Sequence, residues 1–172
     1  MVRDSPAGRR SGRIVEVEAY VAGDEASHAF RGRTQRNASM FLAPFHTYVY
    51  RIYGTAFCLN ISSETDAVGA AVLVRALEPL EGKPLMATRR GTGEVQQLCR
   101  GPGRLCQALD IDLRQDGVNI LNDADLWLAS TGPFGGRIGR SKRIGITKAA
   151  SRHLRFYEVG SPYLSGPRAL SP

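Results

Sequence analysis

The sequence is short of several things, and each shortage closes a class of function. No run approaches the roughly 20 apolar residues that cross a bilayer. Met1 to Gly12 is polar and basic with no apolar stretch behind its charges, which argues against a secretory leader. Only three cysteines occur, Cys58, Cys99 and Cys106. Their odd number and their spacing fit neither a disulfide framework nor a zinc site and suit a reducing compartment. Cys58 lies in an apolar, strand-like run and reads as a small buried hydrophobe rather than a catalytic thiol. The three histidines, His28, His46 and His153, are scattered without paired spacing, so no metal centre is supported. Glycine is plentiful, yet neither Gly101-Pro102-Gly103 nor Gly132 to Gly139 matches GxGxxG or GxxxxGK[ST], which argues against a nucleotide cofactor. The GxSxG elbow of a serine nucleophile is missing too.

What is present is a chain of 172 residues, 42% apolar and 23% charged, enough for one globular domain with a core. Lysine is scarce: 20 of the 23 cations are arginine, against 16 carboxylates, for a net charge of +7. The charge is segregated, with residues 1 to 60 at +3, 61 to 130 at −3 and 131 to 172 at +7. Arginine's planar fork suits phosphate oxygens and groove edges, which points to a polyanionic partner. Arginine enrichment from genomic base composition is the bland alternative, and charge alone does not separate the two.

Met1 to Gly12 shows no apolar periodicity and reads as a basic N-terminal arm, with the domain proper over 13–172. From Ile14 to Tyr20 the pattern alternates, Val15, Val17 and Ala19 on one face, Ile14, Glu16, Glu18 and Tyr20 on the other. Asp24 to Asn37 reads as a polar loop carrying Arg31, Arg33 and Arg36. Tyr48 to Tyr53 and Phe57 to Ile61, joined through Gly54-Thr55-Ala56, give a hairpin signal with Tyr53 beside the tip. Ala70 to Leu77 is a further strand whose single charge, Arg75, shares a side with Ala71, Leu73 and Leu77 and needs a partner there. A turn at Gly101–Gly103 leads into a short helix to Leu109. Leu126–Leu128, Arg143–Ile146 and Leu154–Tyr157 are strand candidates, with a glycine-rich loop over Gly132–Gly139. Mostly strands with a little helix argues for an α+β single domain.

Glu16 and Glu18 lie one strand repeat apart, about 7 Å between carboxylates on one face. Taken alone, such a pair fits a solvated edge as well as a catalytic site. Tyr20, His28, Tyr50, Tyr53 and Arg75 add stacking surfaces, a switchable ring and a cation, the ingredients for holding an unstacked base. Hairpin core is the competing role for Tyr48 and Tyr50, and least so for a tip residue such as Tyr53.

The runs Gly12–Tyr20 (GRIVEVEAY), Arg36–Phe41 (RNASMF), Tyr48–Gly54 (YVYRIYG), Phe57–Ser63 (FCLNISS), Val74–Gly82 (VRALEPLEG), Leu98–Leu109 (LCRGPGRLCQAL), Leu154–Tyr157 (LRFY) and Gly160–Pro162 (GSP) occur in the order seen in alkyladenine (3-methyladenine) DNA glycosylases. The chain resembles that family from Gly12 to about Ser165. The resemblance implies one α+β domain on a curved, mostly antiparallel sheet with a protruding hairpin and a few short helices. It also implies a monomeric enzyme, without cofactor or metal, that flips alkylated or deaminated purines from duplex DNA and hydrolyses the N-glycosidic bond.

Carried over by position, Glu18 resembles the general base for water, Arg75 the cation that orients it, and the main-chain carbonyl of Ile144 a third partner of that water. Tyr20, His28 and Tyr50 resemble the base pocket, Tyr53 the wedge that fills the gap in the duplex, and Asn60 the residue that disfavours guanine's exocyclic amine. Arg33, Arg36 and the basic stretch from Arg137 to Arg155 are expected on phosphates. Cleavage at C1′ builds oxocarbenium character that a carboxylate stabilises. Lys83, Lys142 and Lys148 lie outside the matching blocks, which argues against a lyase amine.

Two departures stand out. Family members usually carry an apolar helix and a strand before the first block, where this chain has only twelve residues, polar and basic in balance, as a late start or a truncation would leave it. Thr55-Ala56 is also smaller than the side chains that some relatives carry after Tyr-Gly. The rivals are a non-catalytic DNA- or RNA-binding module on the same scaffold and an inactive fragment of the enzyme. Lack of a long basic tail points to a bacterial cytoplasm or nucleoid rather than a nucleus, and no membrane is expected as partner.

Overall fold

The computed structural model describes residues 1–52, 54–130, 132–167 and 169. Among them, eight antiparallel strands are β1 (Val2–Arg3), β2 (Arg10–Tyr20), β3 (Thr47–Ile52), β4 (Ala56–Ser62), β5 (Ala71–Pro79), β6 (Leu126–Trp127), β7 (Ile138–Ser141) and β8 (Arg155–Glu158). Three helices are α1 (Lys83–Arg90), α2 (Val95–Leu98) and α3 (Pro102–Leu109). The sheet runs β3-β4-β5-β2-β1-β6, and β8 pairs with both β2 and β7. This is the α+β domain on a curled antiparallel sheet that the sequence implies. No helix among the described residues is long and apolar enough to cross a membrane.

One face of the sheet is apolar because Val49, Leu59, Val74 and Leu77 alternate onto it. They pack on Met86, Leu98, Leu105 and Leu109 of the three helices. The opposite face presents Tyr48, Tyr50, Asn60, Leu73 and Arg75, and builds a cavity. β2 is central, paired along one edge with β5 and along the other with β1 and then β8. The β2–β5 register slips between Ile14 and Glu16 and again between Glu16 and Val17, leaving Val15 and Arg75 as unpaired bulge residues. A bulge reverses which face the following residue meets. Leu77 therefore joins the helix-side core while Arg75 stays with Leu73 at the cavity, which separates two residues that simple alternation puts on one side.

The first twelve residues are not an arm. Met1 belongs to the main core, Val2 and Arg3 pair with Ser11 and Arg10, and Arg10 is fully buried, where desolvation lowers its pKa. Two strand residues are too few to show periodicity, so the polar composition concealed them. Arg143–Ile146 is not a strand either: it is a bent loop, while β7 lies just before it at the end of the glycine-rich stretch. Gly139 in β7 is required by contact, since a Cβ there would meet the Tyr157 ring at 2.4 Å.

Candidate active site

A cavity of about 350 Å³ opens on the sheet face away from the helices, in the range of small-ligand pockets. Tyr20 of β2, Tyr48 and Tyr50 of β3, Cys58 and Asn60 of β4 and Leu73 and Arg75 of β5 line it, with Ala26 and His28 from the loop after β2 and Ile144 to Ile146 from the loop before β8. The sequence candidates Tyr20, His28, Tyr50, Asn60, Arg75 and Ile144 are thus brought together. Tyr53 lies outside the described residues.

Glu18 is fully buried among the residues that line this cavity. Its Oε1 accepts the Ile144 N–H at 2.7 Å and lies 3.2 Å from Arg75 Nη1, and its Oε2 accepts the Tyr20 hydroxyl at 3.1 Å. The main chain of Ile144 therefore meets Glu18 through its amide, next to Gly145, whose φ of +77° provides the bend that glycine tolerates without strain. Burial, and then Glu18 itself, push the Tyr20 phenol well above its ordinary pKa, so it remains a donor.

Glu16 is not a solvated carboxylate. It is buried and accepts from Arg75 Nε at 3.0 Å, Arg155 Nε at 2.7 Å, the Ser165 N–H at 2.5 Å and the Ser165 hydroxyl at 2.8 Å. β2 lies inside the sheet, and both of its carboxylates take cations as partners there, as buried charges require.

The aromatic wall is a stack. The Tyr48 and Tyr50 rings lie 5.4 Å apart at 30°, and His28 meets Tyr50 edge-on at 4.6 Å. His28 Nδ1 is 2.9 Å from the Tyr48 hydroxyl. Desolvation against this wall, reinforced by the Arg36 cation, holds His28 below its usual pKa. Burial lifts Tyr48 to about 12 and raises the Cys58 thiol, so Cys58 is no thiolate nucleophile. Asn60 donates from Nδ2 to the Tyr48 carbonyl at 3.0 Å, which fixes its orientation at the cavity.

Arg33 and Arg36 are exposed and form no ion pair among the described residues. Within the basic end, Arg137, Arg140, Lys142, Lys148 and Arg152 are exposed, whereas Arg143 and Arg155 are buried. Those two hold carboxylates and are withdrawn from the set expected to meet phosphates. The sequence reading missed Asn37, which pins the His28 loop by donating to the carbonyls of His28 and Gly32 at 2.8 and 3.0 Å. It also missed Asp24, which lies 119 positions from its partner Arg143. No local pattern marks a pair so far apart.

Comparison with known proteins places the chain in a family. Residues 1–162 match the family model described as methylpurine-DNA glycosylase. A protein of Mesorhizobium japonicum named as a 3-methyladenine DNA glycosylase is 54% identical over 170 residues, covering 99% of this chain and 82% of that one. One of Paraburkholderia phytofirmans with the same name is 47% identical, covering 99% and 80%. Another, of Methanoculleus marisnigri, is 49% identical, covering 90% and 82%. On a match of this extent, the chain belongs to the methylpurine-DNA glycosylase family.

Proposed function

We propose that this DNA glycosylase draws an alkylated or deaminated purine out of duplex DNA into the cavity between Tyr20, His28 and Tyr50, and hydrolyses its N-glycosidic bond with Glu18 as general base. The observation that carries the reading is the placement of Glu18 against Arg75, Tyr20 and the Ile144 amide, all three of which line an aromatic cavity. The name carried by the relatives puts 3-methyladenine first among substrates.

In the reaction the C1′–N bond breaks with its electron pair leaving on the base, and a water oxygen bonds to C1′. A base that is cationic through N-methylation leaves neutral without further protonation. Glu18 takes the proton from water, and its charge opposes the positive character on the sugar. Arg75, already fixed by Glu16, orients carboxylate and water, with the Ile144 carbonyl as the water's third partner. Tyr53 acts as the wedge that offsets part of the few kcal/mol lost on flipping. Asn60 disfavours guanine through the exocyclic amine on its minor-groove edge. No amine nucleophile takes part, so the product is an abasic site with an intact strand, and the working unit is a monomer. A module that only binds nucleic acid would gain nothing from a buried carboxylate near phosphate.

The test is excision from duplexes bearing 3-methyladenine, 7-methylguanine, hypoxanthine or ethenoadenine, scored as free base and abasic sites. The wild type releases base without strand cleavage. Glu18→Gln loses about 10²–10⁴-fold in single-turnover rate and keeps its affinity for DNA. Full activity in Glu18→Gln ends the assignment.

A further inference from the structure

Arg143 does not line the cavity, yet its guanidinium meets the strand and the loop that build one side of it. It is buried and forms a two-point ion pair with Asp24, Nη2 to Oδ1 at 3.0 Å and Nη1 to Oδ2. Nη1 also donates to the carbonyl of Ala19, between Glu18 and Tyr20, at 2.9 Å. Its Cζ lies over the Tyr20 ring, 4.6 Å from the centroid. Tyr20 lines the cavity and Arg143 does not, so the guanidinium holds the ring from outside the lining. Arg143 Nε has no hydrogen-bond acceptor among the described residues, so the ring's π-density is the remaining compensation for that side of a buried cation. Asp24 is fixed in turn. Burial would raise its pKa, but the Arg143 hydrogen bonds and the Ala26 N–H outweigh that and hold it below the ordinary carboxylate range.

We propose that Arg143, anchored by Asp24, is the positioning residue for Tyr20. It backs the ring so that its free face stays parallel to a flipped purine while its hydroxyl stays on Glu18. The inference rests on the glycosylase reading above. An isolated tyrosine at the rim of an open cavity turns about χ1 and χ2. Backed by a planar cation that is tied to two other segments, it presents one face in one plane. Lysine would keep the charge but lose both the fork that spans Asp24 and Ala19 and the flat surface against the ring. Misplacing a reacting group by about 1 Å can cost up to about 10²-fold in rate.

The experiment is a double-mutant cycle on Arg143→Lys and Tyr20→Leu, read as single-turnover release of 3-methyladenine from methylated duplex DNA, at a temperature where all four proteins are folded. Arg143→Lys is expected to slow release about tenfold when Tyr20 is present and less than about threefold in the Tyr20→Leu background. Melting temperatures of the same four proteins measure the coupling in stability that the cation–ring contact brings, and the proposal requires the coupling in rate to exceed it. An equal fold-loss in the two backgrounds, or none in either, overturns the proposal, because a residue that does not act through Tyr20 slows release by the same factor with or without it. Asp24→Asn loosens the same guanidinium from its other side and goes through the same cycle if Arg143→Lys does not fold. A wild type that releases no base refutes the glycosylase reading, and the positioning role falls with it. A wild type that does release base leaves the cycle to decide Arg143 alone.

Discussion

Glu16 and Glu18 are the same residue type, two positions apart on β2, both buried and both on the fork of Arg75, yet their surroundings differ in kind. Arg75 serves both, but the other donors to Glu16 among the described residues, Arg155 from β8 and Ser165 with its amide and hydroxyl, stand away from the cavity and tie the fold together. Every donor to Glu18 also lines the cavity. A carboxylate held mostly by groups away from the cavity is a staple. One whose donors face a substrate can exchange its interactions for new ones when the substrate arrives. Burial and charge, the usual marks of an active site, are common to both, and only the second neighbours separate them.

Glutamine at each position tests the division most severely. Glu18→Gln should cost about 10²–10⁴-fold in excision with DNA binding retained. Glu16→Gln should do the reverse. Removing one partner from a buried ion network costs on the order of 3–5 kcal/mol, so its melting temperature falls sharply, while the protein that remains folded keeps most of its activity. A folded Glu16→Gln as inactive as Glu18→Gln would collapse the distinction.

The arginines divide in the same way. Arg143 and Arg155 are staples, while Arg33 and Arg36 lie exposed on the loop that carries His28. If the exposed pair meets phosphates, Arg33→Gln with Arg36→Gln should lower the slope of log K against log salt by about 0.9 for each, so that a fourfold rise in salt costs the variant roughly tenfold less affinity than it costs the wild type. An unchanged slope takes both residues off the DNA.

The hairpin, the central strand and α3 were legible because each is long enough for its period to show, and so was the need of Arg75 for a partner. The bulge at Val15 and Arg75 was not, since nothing in an alternating run announces a slip that is stabilised by side chains from β8 and Ser165. The strand at Val2–Arg3 was hidden by its length and by charge: Arg10 looks like a surface residue and is wholly buried. At the site, the cavity-lining residues were readable from residue type and resemblance. Asp24, Asn37 and Arg143, which hold those residues in place, were not, because their partners are distant in sequence or are main-chain carbonyls.

Asn60 joins both roles in one side chain. Its amide nitrogen is a staple on the Tyr48 carbonyl, and its remaining atoms border the cavity. Guanine carries an N2 amine on its minor-groove edge where hypoxanthine has none. Asn60→Ser, which clears that space, should raise guanine release relative to hypoxanthine release by about threefold, measured side by side on matched duplexes. An unchanged ratio leaves Asn60 as a staple only.

The smallest effect expected is at His28, and it concerns protons rather than turnover. One ring nitrogen is engaged with the Tyr48 hydroxyl, which stays protonated because burial lifts its pKa to about 12. Desolvation is the larger cause that depresses His28 and the Arg36 cation the second, so the imidazole is neutral at pH 7. The folded pKa lies below the unfolded value near 6.5, and protonation therefore favours the unfolded chain. The contribution of His28 to stability is complete above that value and declines as pH falls through the window beneath it. Following the His28 ring proton by NMR should give a midpoint below 6.5. In Arg36→Gln it should move upward without reaching 6.5, because desolvation against Tyr48 and Tyr50 remains. A wild-type midpoint at or above 6.5 would mean that water reaches the ring freely. His28 would then belong to the solvated rim and not to the aromatic wall that the flipped base is meant to meet.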